Sequence, residues 1–235
     1  MILTKNLHYC YEDKQVLTNI NLEILKGTFT AIIGANGSGK TTLAKHFNAL
    51  LVPDKGDVFV DDINTKESPR EVRKKVGFVF QNPEDQIVHS IVEEDVAFGL
   101  ENLGIFQTEM QKRVKETLIM LNITHLEKSN VNFLSAGQKQ LVALAGVLAM
   151  MPDYIILDEP TTLLDSMNKK NIISIITRLN KKEKKTIILV TNLLGDLRYA
   201  ERIIVLKSGE VIFNGTKSRI TGKIIEIAGL VDDDN

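Results

Sequence analysis

A glycine-rich segment, Gly34–Thr41, holds the residues of this 235-residue chain that are best suited to chemistry. It reads Gly-Ala-Asn-Gly-Ser-Gly-Lys-Thr, which fits the phosphate-binding pattern of a glycine, four residues and Gly-Lys-Thr. Glycines let successive backbone N–H groups turn inwards at a helix N-terminus, where they bind an anion. The Lys40 ammonium suits the β- and γ-phosphates of a nucleotide, and the Thr41 hydroxyl suits Mg²⁺. The segment predicts a nucleotide-phosphate site; a glycine-rich turn that binds nothing is the alternative.

A second candidate segment ends in two adjacent carboxylates. Tyr154–Leu157 is an apolar run typical of a buried strand, and Asp158 and Glu159 follow it directly. In open α/β sheets, ligands bind at the carboxyl ends of parallel strands. Asp158 is therefore predicted to hold Mg²⁺, and Glu159 to accept a proton from an attacking water.

Two further segments fit the same chemistry. Ser135 precedes an apolar helical run as an N-cap, so the exposed N–H groups beside it offer a second anion-binding helix end. Gln81 closes the apolar run 76–80 and could reach the metal or the water. An ordinary capped core helix and an ordinary loop glutamine are the alternatives.

The order of elements predicts a three-layer α/β core. Strands are predicted at 29–33, 76–80, 154–157, 187–190 and 202–206, with helices after the glycine-rich segment, towards residue 51, and at 169–180. Strand–helix–strand alternation implies parallel pairing. Residues 1–30 read as short strands, whereas 84–150 show helical periodicity and almost no strand pattern. The basic run 181–185 is predicted to be a solvated helix-to-strand turn, and the acidic end 232–234 a frayed tail.

Composition narrows the function classes. The net charge of −1 gives no electrostatic footprint for nucleic acid. The lone Cys10 excludes an internal disulfide, and the four histidines have no metal-ligand spacing. No early apolar run resembles a signal peptide, and none approaches the length that spans a bilayer. We expect a cytoplasmic chain that can sit against a membrane protein.

Together these motifs resemble the ATP-binding subunits of ABC transporters along nearly the whole chain. The matches, in family order, are Gly34–Thr41 with the Walker A motif, Gln81 with the Q-loop, Leu134–Gln140 with the signature motif, Ile155–Glu159 with Walker B and Leu164–Asp165 with the D-loop. Segments 81–86, 92–99 and 145–150 look like the energy-coupling factor (ECF) transporter ATPases, which include cobalt, nickel and vitamin importers.

The resemblance implies a P-loop NTPase (RecA-like) three-layer core of the ABC ATPase type, with an N-terminal antiparallel β subdomain and an inserted α-helical subdomain. The core with its β subdomain is expected at about 1–83 and 151–218, the helical subdomain at about 84–150, and a short C-terminal segment at 219–235. Family members continue further after Thr216, so the resemblance implies dimer contacts that are reduced or supplied by a partner.

The resemblance also implies a head-to-tail pair with ATP and Mg²⁺ between two ATPase subunits. The implied catalytic residues are Glu159, Gln81 and Asn192, and the implied metal ligands are Thr41, Gln81 and Asp158. The implied nucleotide contacts are Tyr11, Asn36, Gly37, Ser38, Gly39, Lys40, Thr41, Thr42, Ser135, Gly137, Gln138 and Asp165. Tyr9 is the alternative to Tyr11 as the aromatic residue. Ser135 and Gly137 would contact the γ-phosphate held by the partner.

Three departures from the family pattern bear on activity. Asn192 stands where the family has its switch histidine; it can donate a hydrogen bond but carries no positive charge, which predicts slow turnover. Ala136 replaces the first signature glycine, which weakens the partner's site if that position needs φ > 0 or close approach to the phosphate and is otherwise harmless. Leu141 replaces the usual arginine. Glu159 is retained, which argues against complete loss of chemistry.

The function implied is an ATPase subunit that energises solute import with an ECF-type transmembrane coupling subunit and a substrate-binding membrane subunit, at the cytoplasmic face of the membrane. The second ATPase subunit is either the same chain or a more complete one. The alternatives are a degenerate partner that binds ATP but hydrolyses little, a subunit of another ABC importer, and a soluble ABC protein acting on DNA or ribosomes.

Overall fold

The computed structural model describes residues 1–162 and 164–229, so the acidic end 232–234 lies outside the described residues. The strands are β1 Ile2–Tyr11, β2 Lys14–Ile24, β3 Phe29–Ile33, β4 Lys55–Val60, β5 Ile63–Asn64, β6 Val76–Val79, β7 Tyr154–Asp158, β8 Thr186–Thr191, β9 Arg202–Lys207 and β10 Glu210–Thr216. The α-helices are α1 Lys40–Phe47, α2 Pro69–Lys75, α3 Val92–Asn102, α4 Gln107–Met120, α5 Ala136–Ala149, α6 Ser166–Glu183 and α7 Gly222–Ala228.

The strands form two sheets. An antiparallel sheet has the order β2-β1-β4-β5, and a six-stranded sheet has the order β10-β9-β3-β8-β7-β6. In the larger sheet, β9, β3, β8, β7 and β6 are parallel, and only the edge strand β10 runs antiparallel to its neighbour β9. This arrangement confirms the predicted α/β class with its parallel core and additional antiparallel sheet.

The two faces of the larger sheet bury different sets of side chains because successive residues of a strand point to opposite faces. Along β7, Ile155 and Leu157 join the core beneath α3–α6, whereas Tyr154 and Ile156 join the core that β1, β2 and α1 complete. All residues of β3 and β8 are buried, so these strands are covered on both faces, as expected for central parallel strands. The six-stranded sheet is therefore the middle layer, with an apolar core on each face: one shared with α3–α6, the other with β1, β2 and α1.

Helices α3, α4 and α5 pack on one another within the stretch for which helical periodicity was predicted. The limits at about residues 84 and 150 of a separate helical subdomain remain a prediction. A single antiparallel bridge, Ile91 to Asn130, interrupts this all-helical stretch.

Two predicted element ends are wrong. Helix α1 ends at Phe47 rather than near residue 51, because Ala49 takes a left-handed φ of 56° and the N–H groups of Leu50 and Leu51 both return to the Lys45 carbonyl. Helix α6 continues through Glu183, so most of the basic run lies in its last turn. Lys184 then adopts the left-handed conformation that ends the helix. Cations near a helix C-terminus interact favourably with its dipole.

One buried histidine makes stability depend on pH. His46 of α1 is fully buried; its Nδ1 lies 2.8 Å from the Thr42 carbonyl oxygen, and Tyr9 packs edge-on against its ring. A carbonyl only accepts hydrogen bonds, so Nδ1 carries the proton of a neutral ring. Burial lowers the pKa of His46 from 6.5 to about 4.

We expect the free energy of unfolding to fall by up to about 3 kcal/mol as the pH drops from 6.5 to 4, because the unfolded chain takes up a proton there that the folded chain excludes. Chemical denaturation across this range measures the slope. His46→Gln should remove most of this contribution, whereas His125→Gln, at an exposed site, should leave it in place. If the free energy of unfolding of His46→Gln falls with pH as steeply as that of the wild type, His46 is not the group responsible.

Candidate nucleotide-binding site

The glycine-rich segment connects the carboxyl end of β3 to the start of α1. Gly39 is the N-cap of α1 and has a φ of 101°, a conformation that residues with a Cβ rarely adopt. A Cβ at this position would also lie 2.9 Å from Cδ2 of Leu17. Glycine is therefore required here for both conformation and space.

Lys40 lies across this loop with its side chain 5% exposed. Its Nζ donates hydrogen bonds to the carbonyl oxygens of Gly34 (2.9 Å) and Ala35 (3.2 Å), and lies 3.8 Å from Oε1 of Glu159. Burial lowers the pKa of Lys40, while the nearby carboxylates oppose that change. A buried cation inside an amide-rich loop is suited to the oxygens of a phosphate.

Two oxygen-bearing side chains meet beside this loop. Thr41 Oγ1 donates to Oδ1 of Asp158 over 2.9 Å, which joins the start of α1 to the end of β7. Burial raises the pKa of Asp158, and the hydrogen bond from Thr41 counteracts it. Hydroxyl and carboxylate oxygens are ligands that Mg²⁺ prefers, so this pair fits the predicted metal site.

Glu159 and Gln81 also meet, although 78 residues separate them along the chain. Gln81 Nε2 donates to Oε2 of Glu159 over 3.2 Å. The Glu159 backbone has a φ of 44°, and its N–H donates to the Val190 carbonyl of β8. A left-handed conformation at a non-glycine residue is strained, and such strain is concentrated at functional sites.

These side chains open onto a cavity of about 670 Å³. Of the predicted residues, it is lined by Tyr11, Asn36, Gly37, Gly39, Lys40, Thr41, Thr42, Gln81 and Glu159. Ser38, which is part of the loop, is buried and does not line the cavity. Asn192 follows β8 and donates from Nδ2 to Oδ1 of Asn36 over 3.4 Å, so it contacts the loop from the side.

Comparison with known proteins explains this combination of motifs. A family model described as ABC transporter matches residues 17–162. The chain belongs to the ABC transporter family. The energy-coupling factor transporter ATP-binding protein EcfA1 of Caldanaerobacter subterraneus is 47% identical over 227 residues, covering 94% of this chain and 82% of that protein.

Two solved structures support the same placement. One is cbiO1 from Clostridium perfringens, described as part of the ABC transporter complex cbiONQ, with a TM-score of 0.82 and 37% identity over 92% of this chain and 88% of that one. The other is the ATP-binding cassette MJ0796, a dimer in a post-hydrolysis state bound to ADP and Pi, with a TM-score of 0.82 and 34% identity over 92% of this chain and 98% of that one. Domains of this family bind ATP and generally require Mg²⁺.

The signature residues of this ABC transporter family member are absent from the lining of the 670 Å³ cavity. Ser135 and Gln138 cap the start of α5 reciprocally: the Gln138 N–H donates to Ser135 Oγ (3.3 Å) and the Ser135 N–H to Gln138 Oε1 (2.9 Å). Asp165 caps α6, because its Oδ1 accepts from the N–H groups of Met167 and Asn168. Residues predicted to act on a partner's nucleotide need not reach the cavity of their own chain.

The sequence analysis missed part of the lining. The cavity also contacts Lys14, Gln15 and Val16 at the start of β2, and Ser208 and Gly209 between β9 and β10. Ser208 and Gly209 both have positive φ, at 48° and 80°, which is typical of a two-residue hairpin turn. The Ser-Gly pair signals a turn in the sequence, but only the sheet order brings that turn to the site.

No helix within residues 1–162 and 164–229 has the length and apolar character required to cross a membrane. The same residues contain no cluster of three or more His, Cys, Asp or Glu side chains that could hold a metal. The predicted metal site is a different kind of site, since it also uses a threonine and a glutamine.

The two candidate aromatic side chains, Tyr11 and Tyr9, differ in exposure and in packing. Tyr11 is 45% exposed and lines the cavity, whereas Tyr9 packs edge-on against both Tyr11 and His46. The geometry favours Tyr11 for stacking on a base.

We expect Tyr11→Ala to weaken binding of Mg-ATP by roughly tenfold, because stacking on an aromatic ring contributes about 1–3 kcal/mol per base. Isothermal titration of the purified chain measures this change. Tyr11→Phe, which keeps the ring, is the matched control and should bind as the wild type does. Equal losses in both variants would contradict stacking.

Proposed function

We propose that this chain is the ATP-binding and ATP-hydrolysing subunit of an ECF-type ABC importer. The observation that carries the proposal is that Lys40, Thr41 and Glu159 line one cavity and that Asp158 accepts a hydrogen bond from Thr41 beside it, in a chain whose relatives include EcfA1 proteins. An intact set of phosphate, metal and proton-accepting groups supports an ATPase over a purely structural nucleotide clamp.

Each group has a distinct role in the proposed reaction. The loop N–H groups and Lys40 bind and orient the β- and γ-phosphates, and Thr41, Asp158 and Gln81 are the residues that would hold Mg²⁺. Mg²⁺, when bound, neutralises negative charge on the phosphate oxygens. Glu159 accepts a proton from the attacking water, and its hydrogen bond to Gln81 fixes the carboxylate in position.

The proposed active form is a head-to-tail dimer of ATPase subunits. Ser135, Gly137, Gln138 and Asp165 are absent from the lining of their own chain's cavity, which is the arrangement expected of groups that complete a second subunit's site. The similarity to the dimeric cassette MJ0796 supports this arrangement.

A second cavity suits the proposed membrane partner. It measures about 700 Å³ and lies between the six-stranded sheet and helices α3 and α5; its apolar lining includes Phe78, Phe80, Phe98 and Val88. Arg70, Arg73 and Lys74 of α2 line the same cavity. We assign this groove to the transmembrane coupling subunit, which in turn contacts the substrate-binding membrane subunit. The chain would then be a peripheral protein at the cytoplasmic face of the membrane.

A second candidate function, a degenerate subunit that binds ATP and hydrolyses little, is favoured by Asn192. This amide contacts Asn36 of the loop, and it has no group that can carry a positive charge or shuttle a proton. A homodimer would have Asn192 and Ala136 at both sites, so we propose a heterodimer with a more complete second subunit. Rapid hydrolysis by a purified chain that dimerises alone on Mg-ATP would contradict the heterodimer.

We expect Glu159→Gln to lower steady-state ATP hydrolysis by roughly 100-fold or more, because general-base catalysis contributes a factor of this order. Asn192→His should raise hydrolysis by about tenfold, since a charged donor strengthens the hydrogen bond to a developing phosphate charge. Release of inorganic phosphate from the purified chain, alone and with its membrane partners, measures both.

Lys40→Ala is the control for contaminating ATPases, because it removes the phosphate-binding cation. A wild type that binds Mg-ATP but stays inactive, also as Asn192→His and in the full complex, would favour the degenerate subunit. Hydrolysis that survives Glu159→Gln would contradict the role assigned to this carboxylate.

We expect Phe98→Asp to abolish co-purification with the membrane subunits and to leave binding of Mg-ATP unchanged, because a carboxylate in an apolar contact is desolvated without a partner. Phe106→Asp is the matched control, since Phe106 is 86% exposed and lies outside the groove. Equal retention of the two variants in the complex would place the membrane contact elsewhere.

A further inference from the structure

Asn168, a residue with no assigned role, occupies the space between two elements that are proposed to act on the partner's nucleotide. It lies in the first turn of α6, three residues after the N-cap Asp165, and is partly buried. Its Nδ2 donates to Oδ2 of Asp165 over 2.7 Å, and its own N–H donates to Oδ1 of the same carboxylate over 2.9 Å. Asp165 therefore holds both the backbone and the side chain of Asn168.

The other side of Asn168 faces the signature helix. A Cβ built on Gly137 would lie 2.6 Å from Cγ of Asn168, 2.7 Å from Nδ2 and 2.9 Å from Oδ1. The Gly137 backbone and the Asn168 side chain are thus in close contact, and no methyl group fits between them. A flexible side chain could move aside at little cost, but this amide would first have to break its hydrogen bond to Asp165.

The other glycine of helix α5 has no comparable contact. Gly146 lies on the same helix, and a Cβ there would meet only the Asp95 carbonyl oxygen at 3.9 Å. Gly137 is buried and has no positive φ, so its backbone conformation does not require a glycine. Within the chain itself, it is the side chain of Asn168 that leaves no space for a Cβ at position 137.

We propose that Asn168 is a positioning residue that fixes the distance between Asp165 and the N-terminus of the signature helix α5. Through this one amide, the D-loop carboxylate and Gly137 are presented to the partner's nucleotide as a single rigid unit. A movement of Asp165 is transmitted to α5 because Asn168, which is bonded to Asp165, is in close contact with Gly137. The inference rests on the proposed head-to-tail dimer. It identifies Asn168 as the residue that aligns Asp165 and Gly137, the two groups that this chain would contribute to its partner's site.

The test is a double-mutant cycle of Gly137→Ala and Asn168→Ala in the full chain. Gly137→Ala should lower the midpoint of thermal unfolding by about 3–6 °C, because overpacking a buried site is destabilising. Adding Asn168→Ala should restore at least half of that loss, since it vacates the space that the new methyl group needs. Gly146→Ala should leave the midpoint unchanged or raise it. If the double variant's midpoint shift equals the sum of the two single shifts, the proposed contact between Gly137 and Asn168 is contradicted.

The positioning role is tested by kcat and KM for Mg-ATP in the assembled complex. Asn168→Ala should lower kcat about tenfold and change KM less than twofold, because misplacement of reacting groups affects the reaction more than binding to the chain's own loop. Asn168→Asp, which fills the same space but repels Asp165, should lower kcat as much. Asn171→Ala, at an exposed site on the same helix, should match the wild type.

The double variant separates this role from a direct one for Gly137. Because Gly137 is itself proposed to act on the partner's nucleotide, we expect Gly137→Ala with Asn168→Ala to have a kcat above the product of the two single losses, although not above that of Asn168→Ala alone. A kcat equal to the product of the two single losses, or a wild-type kcat for Asn168→Ala, would overturn the proposal. A complex that hydrolyses no ATP would instead contradict the proposed function, and the thermal cycle, which needs no nucleotide, would still decide whether the contact exists.

Discussion

Four parallel strands, β6, β7, β8 and β3, end at the same edge of the six-stranded sheet, and the nucleotide-binding site depends on this register. Backbone pairing places Leu157 beside Leu189 and Val79 beside Leu157, so that the segments after these strands emerge together. The residues that leave this edge include Gln81, Asp158, Glu159 and Asn192, with the glycine-rich loop after β3. A one-residue slip of any strand would turn its side chains to the other face and dismantle the site.

Burial gives these groups their chemical character. Nζ of Lys40 lies 3.8 Å from Oε1 of Glu159, and Asp158 is hydrogen-bonded to the neighbouring Thr41. All three charged side chains are largely removed from water, and electrostatic interactions are stronger in such an environment. The loop carbonyls and the Thr41 hydroxyl satisfy these charges in part. The arrangement has acceptors and donors suited to a phosphate and a divalent cation, and this explains why ionisable groups are tolerated between two apolar cores.

The signature helix and the D-loop helix are subject to a different constraint. Their first turns are absent from the lining of the chain's own cavity, so in the proposed head-to-tail dimer each is aligned by contacts within its own subunit before a partner binds. The capping box of Ser135 and Gln138 fixes the first turn of α5, and Asp165 fixes that of α6. Asn168 lies where these two turns meet, which makes the alignment of both helices depend on one close contact.

The sequence by itself determined the fold class and predicted nine of the residues that line the 670 Å³ cavity. Local patterns carry that information: the glycine-rich loop requires conformations that only glycine adopts, and apolar runs followed by polar residues mark the ends of buried strands. Motifs such as Gly34–Thr41 and Ile155–Glu159 are contiguous, so their chemistry can be recognised without knowing what lies near them.

Only the tertiary structure decided which distant groups meet. The sequence already favours Tyr11 over Tyr9, but the packing of Tyr9 against His46 of another element, which supports that preference, depends on the fold. The lining by Ser208 and Gly209 and the contact of Gly137 with Asn168 likewise depend on neighbours far along the chain. Propensity and periodicity describe a segment alone, whereas exposure and contact are set by how the segments pack.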